Sequence, residues 1–177
     1  MDLYPKVWPI LVPLLSGEEW EKKGEKEPSF SSRSNRAFIF DCIASNWVTA
    51  HSAVFGRCPS VALESIQHIL PILDTTADYL EQQSALAALD NIVSTIQRMK
   101  SGIDENTAMV RLADSLVSIL TRSKVEDIRL NAIKLLTKMN DYHLIPKEAH
   151  QNTRERISEI MQTEKSFAVK SIGDSFS

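Results

Sequence analysis

The chain has 177 residues, with 20 Lys and Arg against 23 Asp and Glu and a net charge of -3. That length can bury a core as one domain or as a short run of repeats, and it lacks the basic excess of a dedicated nucleic-acid binder. No apolar run approaches a membrane span, and Met1 to Pro5 has no signal-peptide pattern. Cys42 and Cys58 make no disulfide framework, so a reducing cytoplasmic or nuclear setting is expected. Only 5 glycines are present, too few for the turns and phosphate loops of β and α/β folds, and the composition leans all-α.

In chain order, a first, degenerate helical pair is expected over roughly 4–50. Trp8 to Leu15 reads as its first helix and Ala37 to Phe40 as the start of its second. Pro5, Pro9 and Pro13 make that first helix kinked, because an interior proline removes a hydrogen bond. Residues 16–35, rich in Glu, Lys and Ser, read as a solvated loop, and 47–58 as an extra segment.

Helical periodicity is clearest from Val61 to Leu73, with Leu63, Ile66, Ile69 and Leu70 on the same apolar stripe. Asp74 to Thr76 reads as a break with capping character, and a second helix is expected over 77–99, with Leu80, Leu86, Leu89, Ile92, Val93 and Ile96 as its buried stripe. A third is expected over 107–120 and a fourth over 125–139. These pairs, roughly 59–100 and 106–140, overlay at an offset of 47: Leu73 on Leu120, Ala85 on Ala132, Leu86 on Ile133 and Leu89 on Leu136. That is a HEAT/armadillo-like period, with the alanine letting two helices approach closely. An extra helix is expected over 147–161, ending the repeat domain at 161, and 162–177 reads as a polar tail, docked or disordered. The expected fold is therefore a short right-handed α-solenoid of about three hairpins. No polar capping repeat stands out at either end, so a neighbouring repeat or a partner subunit is expected to cover it.

Catalytic and metal-binding patterns are missing. The histidines His51, His68, His143 and His150 have no ligand spacing, and there is no HExxH, CxxC, GxSxG or phosphate-binding glycine loop. The repeated His-Glu dipeptides of the di-iron helical-repeat hydroxylases are absent as well. No enzyme activity, cofactor or metal is expected. Carboxylate pairs such as Glu126-Asp127 fall at helix starts, where they favour the helix dipole. Charge is uneven: residues 58–100 hold two basic and five acidic side chains, and 101–140 hold six and five. Arg129, Lys134 and Lys138 on one helix are candidates for contacting an acidic partner, against the plainer reading of a solvated face. Trp20, a tryptophan in the charged segment, is a candidate partner anchor.

Several pieces stand in a familiar order. Trp8-Pro9 with Leu11-Val12 opens a repeat, and Arg36-Ala37-Phe38 opens its second helix. Leu70-Pro71 closes a first helix, Val110-Arg111-Leu112-Ala113-Asp114 precedes an apolar stretch, and Val125 to Ala132 leads into the final pair. Over roughly 7–140 these resemble the C-terminal part of the TELO-two-interacting protein one family, the HEAT-repeat scaffold subunit of the Triple T complex. The resemblance implies a non-catalytic co-chaperone that acts with two sister helical-repeat subunits. It also implies binding of newly made phosphatidylinositol-3-kinase-related protein kinases for maturation by the heat-shock chaperone machinery. Other readings are a HEAT adaptor in nuclear transport or the proteasome, or a helical-repeat enzyme acting on DNA, against which the acidic middle repeat speaks.

Overall fold

The computed structural model describes residues 59–75, 78–99 and 106–176. The pair expected over 4–50, the loop 16–35 and Trp20 lie outside these residues, as do Cys42, Cys58 and His51. Among the described residues every regular element is an α-helix. The chain divides into two compact units, Met1–Ser101 and Gly102–Ser177.

In the first unit, α1 (Pro59–Thr75) packs against α2 (Tyr79–Met99). Proline at the first helical position lacks only an N–H that would have had no intrahelical partner. Pro71 lies inside α1, yet the helix runs on to Thr75, whose hydroxyl donates back to the Pro71 carbonyl at 2.9 Å. Asp74 and Thr75, expected in a break, are therefore helical. The cap of α2 is Asp78, whose Oδ1 accepts the Glu81 N–H at 3.0 Å, so α2 starts two residues later than periodicity suggests. Ile66, Ile69, Leu70 and Leu73 from α1 and Ala85, Leu86, Leu89 and Ile92 from α2 are buried.

The second unit holds α3 (Asn106–Arg122), α4 (Glu126–Asp141), α5 (Lys147–Thr163) and α6 (Phe167–Asp174). Here α3 packs on α4, α5 on α3, and α6 on both α4 and α5. The α4 end is a Schellman motif: Leu144 N–H donates to the Met139 carbonyl and His143 N–H to that of Asn140, both at 2.9 Å. His143 takes the left-handed position at φ 56°, where glycine is the unstrained residue.

Segment 162–177, read from sequence as a polar tail, carries α6. Ser166 caps this helix by accepting the Val169 N–H, and Val169 and Phe176 are buried. Val169 and Ile172 turn inward while Phe167 and Ala168 face water, so the short helix shows no clean apolar stripe in sequence. The chain end is held further by His150, whose Nε2 bonds the Asn140 amide oxygen at 2.7 Å and whose ring stacks on Phe176.

Three hairpins thus stand among the described residues, and their first helices, α1, α3 and α5, are each 17 residues long. Burial repeats between them. At an offset of 47, Ile66 matches Ala113, Ile69 matches Leu116, Ala85 matches Ala132 and Ile92 matches Met139, all buried. At an offset of 41, Leu116 matches Ile157, Leu120 matches Met161, Ile128 matches Val169 and Leu135 matches Phe176, again all buried. The small residue persists as Gly173, opposite Ala132 in this alignment. A Cβ on Gly173 would run into the Met161 side chain, which would have to shift to admit it.

On α5, Glu148, Gln151, Arg154, Glu155, Ser158 and Glu159 are exposed, leaving Thr153, Ile157 and Met161 buried.

Candidate partner-binding edge

The turns 123–125 and 164–166 reverse the chain between α3 and α4 and between α5 and α6. A groove of about 510 Å³ runs along this edge. Buried Leu120 and half-buried Ile160 line it with Thr163, and the exposed Lys124 and Lys165 flank it. The two lysines occupy equivalent positions, each the middle residue of its turn, 41 residues apart.

An ion pair crosses the groove. Arg129 donates Nε to Glu164 Oε2 at 2.9 Å, Nη2 to Oε1 at 3.0 Å and Nη1 to the Ser123 carbonyl at 3.1 Å. The side chains are only 15% and 5% exposed. Glu164 Oε1 also accepts the Ser166 N–H at 2.7 Å, and the Ser166 hydroxyl donates to Glu126 Oε1 at 2.7 Å. Burial alone pushes the Glu164 carboxyl up. The Arg129 hydrogen bonds, the Ser166 N–H, the Arg129 charge and the Lys165 N–H together outweigh burial and hold it below its ordinary 4.5.

Of the sequence-predicted partner residues, Arg129 is therefore engaged within the fold. Five residues separate it from Lys134, about 140° around a helix, so the two do not share a face. Lys134 is exposed and Lys138, one turn on, is half-buried, so these two share a side of α4. Sequence reading missed Glu164, which claims Arg129 from 35 residues away, and it missed the paired turn lysines. The 41-residue spacing was the available signal, hidden because it differs from 47.

Within each hairpin, large exposed apolar side chains stand at the start of the second helix. Tyr79 and Leu80 open α2, Val125 precedes α4, and Phe167 opens α6 with 86% of its surface exposed. Among the described residues no cluster of His, Cys, Asp and Glu could hold a metal ion, and no helix is long and apolar enough to cross a membrane. In comparison with known proteins, the chain matches no family model, no curated protein and no solved structure.

Proposed function

We propose that this chain is a HEAT-like helical-repeat scaffold that binds other proteins and catalyses no reaction. The observation that carries this reading is the recurrence of one burial register through three hairpins, at offsets of 47 and 41. Repeats of this kind build extended surfaces whose use is contact with other chains. Exposed Phe167 and Val125, close in sequence to the lysines at the hairpin turns, are the kind of side chains that anchor such contacts.

The more specific reading is a subunit of a Triple T-like co-chaperone for phosphatidylinositol-3-kinase-related kinases, and it rests on the sequence resemblance over residues 7–140. A HEAT adaptor of another assembly, in nuclear transport or at the proteasome, is the second reading, because the repeated register is common to the whole class. Affinity capture of the full chain from cells, read by mass spectrometry, separates them. Recovery of two helical-repeat subunits with large kinases supports the first. Transport cargo or proteasome subunits in their place support the second, and no enriched protein at all contradicts both.

A further inference from the structure

We infer that the groove between the turns 123–125 and 164–166 docks an acidic peptide segment of a partner protein, with an apolar side chain of that segment seated between the two turns. The inference deepens the protein-binding reading above and rests on it. Charge complementarity selects the occupant. Arg129 is satisfied by Glu164, leaving Lys124 and Lys165 as the charges that the groove offers, and among the described residues neither ammonium makes a hydrogen bond or ion pair. Glu126 is held at this edge by the Ser166 hydroxyl, but neither it nor Asp127 lines the groove. Carboxylates are the groups that two such ammoniums attract.

The apolar part of the partner follows from Leu120 and Ile160 in the groove and from Phe167 standing in water one residue past the Ser166 cap. Phe167 does not line the groove but follows its Lys165 by two residues, and an aromatic ring that exposed gains by being covered. The polar outer side of α5 offers no comparable surface, so the contact falls at the turns. A membrane surface fits less well: two lysines fall short of the basic clusters that hold a protein to anionic lipid, and the surface is concave.

The test selects binders from a random dodecapeptide phage library on the immobilised full chain, then measures each selected peptide by fluorescence anisotropy. Expected are peptides rich in Asp and Glu around Leu, Phe or Trp. Their affinity should fall at least about tenfold in the Lys124→Glu/Lys165→Glu double variant and weaken in Phe167→Ala. Both variants change exposed side chains, and an unchanged melting temperature shows that they fold. Failure to select peptides, selection without acidic bias, or equal affinity for the double variant overturns the inference. So does co-sedimentation with phosphatidylserine vesicles that the double variant abolishes. If the double variant still captures every cellular partner of the wild type, the groove is wrong and the scaffold reading stands. If the wild type captures none, the scaffold reading itself falls.

Discussion

Glu164 answers three donors, two from Arg129 and one from the Ser166 backbone, and so ties the start of α6 to α4. Glu164→Gln keeps the shape and removes the charge, and a loss of about 2 kcal/mol in urea unfolding is expected. The pH dependence has a definite sign. A carboxyl held below 4.5 in the folded chain stabilises fully above that value and loses its contribution as pH falls through the folded pKa. Wild-type stability should therefore drop below about pH 4.5 more steeply than that of Glu164→Gln. Gly173 is the other residue on which α6 depends. Gly173→Ala should destabilise by about 1 kcal/mol through its clash with Met161, although alanine favours helix. In a Met161→Ala background the same change should be neutral or better, and a double-mutant cycle measures that coupling.

Elements differ in how much of them local sequence announces. For α1 to α4 the apolar stripes are long and one-sided, so their existence and most buried residues were readable and ends moved by a residue or two. Leu80, expected on the buried stripe of α2, is instead exposed in its first turn. Asp78 was passed over as the cap of α2 because Asp74 and the threonines nearer to α1 gave the same chemical signal. The α6 helix was hidden because eight residues carry too few turns to show a period, and its burial depends on α4 and α5. Chain truncation after Lys165 should remove the burial of Val169 and Phe176 and lower stability by roughly 3–5 kcal/mol, seen as a lower melting temperature. The Schellman end of α4 gives a change in the opposite direction. His143→Gly relieves a left-handed side-chain residue and should raise stability by about 0.5–1 kcal/mol in thermal unfolding.

At the scale of the molecule, the repeat was half legible. The 47-residue offset was visible because Ala85 and Ala132 sit amid matching leucines and isoleucines. The 41-residue offset was not, since Thr153 and Gly173 stand where Leu112 and Ala132 stand one repeat earlier. The proposed binding edge was less legible still. Arg129 looked available until Glu164 was placed against it, and Lys124 with Lys165 come together only through packing of α5 and α6. Amide hydrogen exchange of the full chain tests most directly whether α5 and α6 form a true repeat that completes the groove. Expected is protection of the amides of residues 170–174 comparable to that of α5, with both segments opening together in rising denaturant. Free exchange over 167–176 while α3 to α5 stay protected would contradict it.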